Sequence, residues 1–173
     1  MKMAQSIETS LYDSPCGQLL LGAYGNTLCL CDWTQSRHHA TLLRRLQNSL
    51  GNLTPSENNP IIRQAVTELN EYFGAVRREF TVQLLPIGSP FQKEIWLQLL
   101  SIKYGSTISY SHLANEIAHP GACRAVANAV GSNALSIFIP CHRVVGASGS
   151  LTGYAGGLDA KRQLLLLEAA KVK

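Results

Sequence analysis

The sequence predicts two folded parts, an α/β N-terminal domain over residues 1–87 and a mostly helical C-terminal domain over residues 88–173. The first part contains short strand-like runs followed by helical patterns, whereas the second part contains helical patterns alone. Two prolines and a glycine within residues 86–90 break any regular element between them. With 173 residues, 46% of them apolar, the chain is long enough to bury a core.

The N-terminal part reads as a short antiparallel sheet followed by helices. Residues 7–12, 18–23 and 27–33 are strand-like runs separated by turn-forming residues. Leucines at 42, 43, 46 and 50 predict a helix that ends at Gly51, and residues 52–59 are predicted to be a loop. Asn59 and Pro60 begin a second helix that runs to Gly74. Alternation of Phe80, Val82 and Leu84 predicts one more strand.

The C-terminal part begins with a helix at Ser89 and Pro90, whose apolar stripe predicts that it continues to Gly105. A short helix over residues 111–118 follows and is stopped by Pro120 and Gly121. A third helix covers residues 122–130 and ends at Gly131. Two short helices joined by a tight turn are the outline of a helix-turn-helix.

The second helix of this outline is rich in alanine and carries only Arg124 as a long charged side chain. A helix that reads bases in the major groove needs several long polar side chains on one face. Small side chains instead fit a narrow groove or tight packing in a core. Composition alone leaves both interpretations open.

Charge and composition narrow the function classes only partly. The net charge is +4, and the basic excess lies entirely after residue 87, which fits either a polyanionic partner or a slightly basic surface. No run of apolar residues is long enough to cross a bilayer, and the first residues do not form a secretory signal. Five cysteines, an odd number, indicate free thiols in a reducing cytoplasm.

Cys141 followed by His142 is the most informative pair of residues. A cysteine attacks only as a thiolate, and a nearby imidazole commonly removes its proton. Adjacent residues of an extended segment point to opposite sides, so this pair needs a bridging water or a kinked backbone. A buried structural cysteine is the competing interpretation.

The other cysteines carry weaker signals. Cys29 and Cys31 are two residues apart on a predicted strand, where they are expected to face the same way, with His38 and His39 shortly after. Such a group falls short of the four well-spaced ligands of a closed zinc site, so no metal is predicted. Cys16 and Cys123 are interpreted as packing residues.

The run Ile139-Pro140-Cys141-His142-Arg143-Val144 resembles the active-site signature of the O6-alkylguanine-DNA alkyltransferases, also called methylated-DNA–protein-cysteine methyltransferases. The similarity extends over residues 90–168, and its further motifs are Ile108-Ser109-Tyr110, Ala122-Cys123-Arg124-Ala125-Val126, Gly131-Ser132-Asn133, Gly153-Tyr154-Ala155-Gly156-Gly157 and the helix at 161–168. The N-terminal part matches only in outline. The chain resembles the stand-alone bacterial type, without the additional four-cysteine zinc domain of the adaptive-response proteins.

The resemblance implies a ribonuclease H-like N-terminal domain and a winged-helix-like C-terminal domain. It implies a monomer that binds double-stranded DNA through the minor groove, flips out O6-alkylguanine and moves the alkyl group to Cys141. The reaction occurs once per molecule and needs no cofactor. Whether O4-alkylthymine is also a substrate is left open.

The resemblance also assigns roles to individual residues. Cys141 is the nucleophile, His142 takes its proton through a water, and Glu168, 26 residues downstream, orients the imidazole. Asn133 braces the active-site turn, and Tyr110 helps to rotate the nucleotide and supplies a proton to the leaving guanine. The residues implied to line the base pocket are Val144, Tyr154, Ala155 and Gly156. Arg124 is implied to take the place of the flipped base. The other residues implied to contact DNA are Ala125, Ala127 and Ala129.

Two departures from the family pattern affect this interpretation. Ala134 follows Asn133 where the family often has proline, which loosens the hinge, and Ala155 stands where many relatives have serine, which leaves more room for larger alkyl groups. Two other functions remain as alternatives. A cysteine hydrolase would turn over with water as acceptor, and a lesion-binding relative would carry tryptophan in place of Cys141.

Overall fold

A computed structural model describes residues 5–169 of the chain. The N-terminal part holds a four-stranded sheet in the order β3-β2-β1-β4, in which β1 pairs antiparallel with β2 and β2 pairs antiparallel with β3. The first three strands predicted from the sequence thus pair antiparallel as expected, and a fourth strand, which the sequence did not predict, pairs parallel with β1 and makes the sheet mixed. The strands are β1 (Ile7–Ser14), β2 (Gly17–Tyr24), β3 (Thr27–Trp33) and β4 (Leu53–Pro55).

Two helices accompany this sheet, α1 (His39–Leu50) and α2 (Pro60–Phe73). The Asn59 side chain accepts hydrogen bonds from the backbone N–H groups of Ile61 and Ile62, and Pro60 takes the first helical position. The predicted beginning of this helix is therefore confirmed. Its buried face includes Tyr72, which reaches the candidate site described below.

The C-terminal part is mostly helical, with one two-stranded parallel pair. Ser89 and Gln92 form a reciprocal capping box at the first helix of this part. The next two helices are joined by a turn in which Ala118 and Gly121 have positive φ, and these helices form the predicted helix-turn-helix outline. The elements are α3 (Pro90–Leu99), β5 (Ile108–Ser109), α4 (Tyr110–Glu116), α5 (Cys123–Gly131), β6 (Val144–Val145) and α6 (Leu158–Ala169).

Three predictions of secondary structure differ from the structure. Residues 53–55 form β4 within the segment predicted to be a loop. Phe80, Val82 and Leu84 alternate without forming a strand, because only Leu84 makes a bridge, with Leu28. Helix α3 ends at Leu99 rather than reaching Gly105, although Ile102 is buried as its spacing predicted.

A β-bulge separates the two neighbouring cysteines of β3. The pairing register shifts between Gly22 and Ala23, which places Cys29 out of step with Cys31. Cys29 packs in a small core with Leu46, whereas Cys31 packs in the main core that also contains Cys141. The expectation that Cys29 and Cys31 face the same way is therefore wrong.

The end of β3 joins the two parts of the protein directly. The Cys31 N–H donates to the Ala134 carbonyl, and the Ser136 N–H donates to the Cys31 carbonyl, each at 2.8 Å. Arg45 of α1 adds a bond of 2.8 Å to the Ser132 carbonyl at the end of α5. The sheet thus holds the segment that leads to Cys141. No helix among residues 5–169 is long and apolar enough to span a membrane.

Candidate active site

Asn133 braces the loop that runs from the end of α5 to Cys141. Its side-chain nitrogen donates to the Ile139 carbonyl, and its side-chain oxygen accepts from the Leu135 N–H, both at 2.9 Å. Within the loop, Ile137 adopts a left-handed φ of 73°, which is costly for a β-branched residue. The two bonds of Asn133 help to hold the loop in this conformation.

Cys141 lies in a single 3₁₀ turn, Cys141–Arg143, that begins directly after Pro140. This turn kinks the backbone at Cys141, which is one of the two arrangements expected from the sequence. Only 6% of Cys141 is exposed. Burial raises the pKa of the thiol, while a hydrogen bond with Asn133 and the positive charge of Lys161 oppose this effect. The resting sulfur is therefore a protonated thiol at neutral pH, and it needs a base to become a nucleophile.

His142 and Glu168 form a fully buried pair, with 2.7 Å between Nε2 and Oε1. Burial lowers the pKa of His142 despite this carboxylate partner, so the imidazole is neutral at neutral pH. Since an ionised carboxylate can only accept, Nε2 carries the proton and Nδ1 keeps a free lone pair. Nδ1 is buried and has no hydrogen-bond partner among the described residues. The imidazole can therefore accept a proton at Nδ1.

Glu168 is held by several donors besides His142. Arg143 donates from Nε to Oε2 at 2.9 Å and from Nη2 to Oε1 at 3.0 Å, and the Tyr72 hydroxyl donates to Oε1 at 2.8 Å. Burial alone would raise the pKa of Glu168, but the hydrogen bonds and charges of His142 and Arg143 lower it to about 2. The carboxylate is therefore ionised throughout the physiological range.

Arg143 and Tyr72 were given no role by the sequence reasoning. Arg143 stands inside the Cys-His motif, so its position beside the reactive residues was a usable signal, and its Nη1 also donates to the Ile102 carbonyl at 2.6 Å. Tyr72 was identified only as part of a buried helical stripe. Nothing in the sequence indicates that its hydroxyl meets a carboxylate 96 positions away.

Lys161 is a third residue that the sequence reasoning missed. Its side chain is fully buried, and Nζ donates to the carbonyls of Val144 at 2.7 Å and Thr152 at 2.9 Å. Lys161 precedes Glu168 by two helical turns, with buried Leu164 between them, so all three lie on the inner face of α6. This spacing was the signal that could have found it. Lys161 fixes the chain segments on both sides of the predicted base pocket.

Three of the predicted base-pocket residues, Val144, Tyr154 and Ala155, pack in or against the core that contains Cys141. Val144 is fully buried in β6, whereas Tyr154, Ala155 and Gly156 are partly exposed. Burial raises the pKa of Tyr154 well above its usual range, and nearness to Cys141 raises it further. Tyr110 lies at the beginning of α4, and its hydroxyl donates to the Thr152 carbonyl at 3.5 Å. Burial raises its pKa too, with a contribution from Cys141, so Tyr110 is a protonated donor near the sulfur.

The residues predicted to contact DNA divide between two faces of α5. Arg124 and Ala125 are exposed, and Ala127 is half-buried. Arg124 forms no hydrogen bond or ion pair with any residue of the described 5–169 range in the structure. Ala129 is only 3% exposed, and its carbonyl accepts from the Trp96 indole at 2.8 Å. The DNA contact assigned to Ala129 is thus incompatible with its position in the core, because the periodicity of α5 turns it inward.

The residues from 5 to 169 contain no cluster of three or more histidine, cysteine or acidic side chains able to hold a metal ion. All five cysteines are free thiols in this structure. The groups that the site brings together are the Cys141 thiol, the neutral imidazole of His142 and the ionised carboxylate of Glu168.

Family models match nearly the whole chain. Residues 7–86 match the ribonuclease-like domain of 6-O-methylguanine DNA methyltransferase, and residues 90–170 match the DNA binding domain of the same family. The two matches meet near the proline-rich break.

Individual relatives agree with these models over most of their length. The methylated-DNA–protein-cysteine methyltransferase of Mycobacterium tuberculosis is 43% identical over 163 residues, covering 92% of this chain and 90% of the relative. The protein of the same name from Mycobacterium leprae is 38% identical over 160 residues, covering 92% and 91%. A crystal structure of Mycobacterium tuberculosis OGT in complex with DNA superposes with a TM-score of 0.83 at 40% identity, covering 95% of this chain and 94% of that one. The chain therefore belongs to the 6-O-methylguanine DNA methyltransferase family.

Proposed function

We propose that this protein repairs double-stranded DNA by moving an alkyl group from the O6 atom of guanine to Cys141, once per molecule. The observation that carries the proposal is the orientation of His142, which bonds Glu168 through Nε2 and keeps a free lone pair at buried Nδ1, in the same 3₁₀ turn as Cys141. A neutral imidazole held in this tautomer is suited to take the proton of a buried thiol.

The reaction follows from these groups. A water between the sulfur and His142 Nδ1 carries the thiol proton to the imidazole. The sulfur then attacks the alkyl carbon, forming the S–C bond as the C–O6 bond breaks and its electron pair passes to the guanine. The imidazolium that results is stabilised by the Glu168 carboxylate. Tyr110, whose raised pKa keeps it protonated, donates a proton to the departing base, and the tyrosinate is reprotonated from solvent, while the imidazolium later releases the thiol proton to solvent.

The product explains why the protein acts once. A thioether at Cys141 has no proton to lose and cannot be hydrolysed under ordinary conditions. Guanine is restored, and no cofactor takes part in the balance of atoms. O4-alkylthymine would react by the same displacement if it fits the pocket.

Binding to DNA is assigned to the helix-turn-helix of α4 and α5. Exposed Arg124 is placed to fill the space of a flipped base, and the small side chains of Ala125 and Ala127 allow α5 to lie in the minor groove. The base pocket is assigned to Val144, Tyr154, Ala155 and Gly156. The absence of a larger side chain at Ala155 favours acceptance of larger alkyl groups.

We also propose a more detailed description of the two domains. We divide the chain at residue 87 into a ribonuclease H-like domain and a winged-helix-like domain. Support for the first comes from three antiparallel strands extended by parallel β4, and support for the second from the β5–β6 pair beside the helix-turn-helix. The protein acts as a monomer in the cytoplasm, where reducing conditions keep Cys141 a thiol.

The test is intact mass after incubation with a duplex that contains one O6-methylguanine. We expect one methyl group per molecule on Cys141 and no further turnover with excess DNA. Cys141→Ser should abolish this mass change, whereas Cys123→Ser, at a partly exposed thiol, should retain it. Continuous release of product to water would instead indicate a hydrolase, and binding of the duplex without any transfer would indicate a lesion-binding protein.

A further inference from the structure

Trp33 is a residue of the N-terminal sheet that faces the proposed base pocket. It is the last residue of β3, pairs with Leu19 of β2, and is only 2% exposed. Its indole meets the ring of Tyr154 edge to face, with ring centroids 5.9 Å apart and an angle of 69° between the planes. This geometry is one of the favoured arrangements of aromatic pairs. The N-terminal part therefore supports a pocket residue of the C-terminal part.

Gly156 lies directly against the same indole. A Cβ atom built on Gly156 would fall 2.6 Å from Cε2 and 2.7 Å from Cδ2 of Trp33, much closer than van der Waals contact allows. Gly156 does not have a positive φ, so its backbone conformation is open to other residues. The indole, and not the backbone, requires glycine at this position.

The two rings also keep polar atoms unpaired. Trp33 Nε1 and the Tyr154 hydroxyl are both buried and form no hydrogen bond of good geometry within the described residues, although the nearby indole N–H opposes the rise that burial causes in the pKa of Tyr154. Buried unpaired polar groups are uncommon in folded proteins and call for an explanation. The positions of the two rings are therefore set mainly by their packing against each other.

We propose that Trp33 is the specificity-determining residue of the base pocket. The indole fixes the ring of Tyr154 and the backbone of Gly156, and it thereby sets the space left for the alkyl group on the base. The sheet domain contributes to the choice of substrate through this side chain. The inference rests on the proposed function, because it concerns the same pocket.

The experiment compares two duplexes that are identical except for an O6-methyl or an O6-benzyl group on one guanine. Rates of Cys141 alkylation are measured by intact mass for the wild-type chain, Trp33→Val and Trp33→Phe. We expect Trp33→Val to slow methyl transfer about tenfold, because small displacements of a substrate are costly. Benzyl transfer should slow much less, so the benzyl-to-methyl ratio should rise about tenfold. Trp33→Phe keeps an aromatic edge and should restore most of the methyl rate.

Leu46→Ala is the matched control. Leu46 is equally buried, but it packs in the small second core with Cys29, away from Trp33 and Tyr154. Loss of folded protein lowers both rates by the same factor, so this variant should leave the ratio unchanged. An unchanged ratio in Trp33→Val would overturn the proposal.

A double-mutant cycle tests the contact itself. Gly156→Ala should slow methyl transfer about tenfold in the wild-type background, where the new Cβ meets the indole, but only about twofold in the Trp33→Val background. Equal losses in the two backgrounds would contradict the inference. A wild-type chain that never alkylates Cys141 would remove the proposed function itself, whereas an active chain with an unchanged ratio removes only the role of Trp33.

Discussion

The Glu168 network and the exposed face of α5 are built in opposite ways. Both oxygens of Glu168 accept hydrogen bonds, and the donors include Tyr72 of α2 and the adjacent residues His142 and Arg143, which come from two distant segments of the chain. The exposed side of α5 presents Arg124 and Ala125, and Arg124 has no hydrogen bond or ion pair within the described residues. One region is complete before any ligand arrives, whereas the other depends on a partner.

This difference fits the role that we propose for each region. A proton acceptor must hold one tautomer and one pKa, so its surroundings are organised during folding. A DNA-contacting face gains affinity by releasing counterions from phosphates and by filling space in the duplex, so its groups must remain free. Loss of the Glu168 carboxylate should therefore affect chemistry and folding together, and substitutions on α5 should affect only reaction on duplex DNA.

Glu168→Gln tests whether the network is needed for chemistry. The amide keeps the shape of the carboxylate but loses its charge, so the imidazolium is no longer stabilised and buried Arg143 lacks its counterion. We expect transfer to slow by about a hundredfold or more and the free energy of unfolding to fall by about 3 kcal/mol. Single-turnover transfer rates and urea denaturation measure the two effects. A variant that is destabilised but reacts at the wild-type rate would reduce the network to a structural role.

The loss of unfolding free energy at low pH is a second test of the Glu168 carboxylate. Its pKa of about 2 lies below the ordinary value of 4.5, so its contribution is complete above pH 4.5 and is lost as the pH falls toward 2. The shift corresponds to roughly 3 kcal/mol of unfolding free energy. Urea denaturation at a series of pH values should show a smaller loss on acidification in Glu168→Gln than in the wild-type chain.

Glu71→Gln is the control for this measurement. Its carboxylate forms a partly exposed ion pair with Arg77 at 2.6 Å, and such surface pairs contribute little to stability. Glu71→Gln should lose stability on acidification as the wild-type chain does. Equal acid sensitivity in wild type and Glu168→Gln would mean that other carboxylates account for the whole effect.

The contrast also explains what the sequence could and could not predict. Cys141 and His142 are adjacent, and Asn59 and Pro60 form a local capping pattern, so each can be found from a few neighbouring residues. Tyr72 joins Glu168 only because two distant helices meet, and a single sequence holds no local trace of that contact. The prediction that Cys29 faces the same way as Cys31 is wrong for a related reason. One inserted residue at a bulge moves the following side chains to the other face of the sheet.

The missed β4 and the absent strand near Val82 have a common cause. Residues 53–55 lie in a largely polar stretch that predicts a loop, but their backbone pairs with β1 at the sheet edge. Val82 is buried as its alternation predicted, yet its segment is held by the Glu68 carboxylate, which accepts from the backbone N–H groups of Thr81 and Val82. Backbone pairing depends on what lies beside a segment, which side-chain patterns do not record.

Arg124→Ala tests the role of the exposed face of α5. The guanidinium is expected to matter only when a flipped base leaves a gap, so transfer from duplex DNA should slow about tenfold while transfer from the free alkylated base stays unchanged. The unfolding free energy should not change, because Arg124 has no partner to lose among the described residues. Rates with duplex and with free base, measured side by side, provide the test.

Arg44→Ala is the control for charge alone. Arg44 is exposed on α1, so its loss lowers the net charge equally without touching α5. The duplex rate of this variant should remain near that of the wild type. Equal slowing by the two substitutions would mean that general attraction to DNA, and not the position of Arg124, controls the reaction.

Tyr72→Phe tests whether Glu168 still orients His142 when one of its hydrogen-bond donors is removed. The change removes one donor from Glu168 Oε1 but leaves His142 and Arg143 bonded to that oxygen. We expect the unfolding free energy to fall by about 1.5 kcal/mol, as for a buried bond to a charged group, with the transfer rate within about twofold of wild type because the imidazole keeps its partner. Tyr12→Phe, which removes a partly exposed bond to Asn70 of the same 2.8 Å length, should cost much less. A large loss of transfer in Tyr72→Phe would show that the donors to Glu168 act as a single unit, and that the imidazole is oriented only when all of them are present.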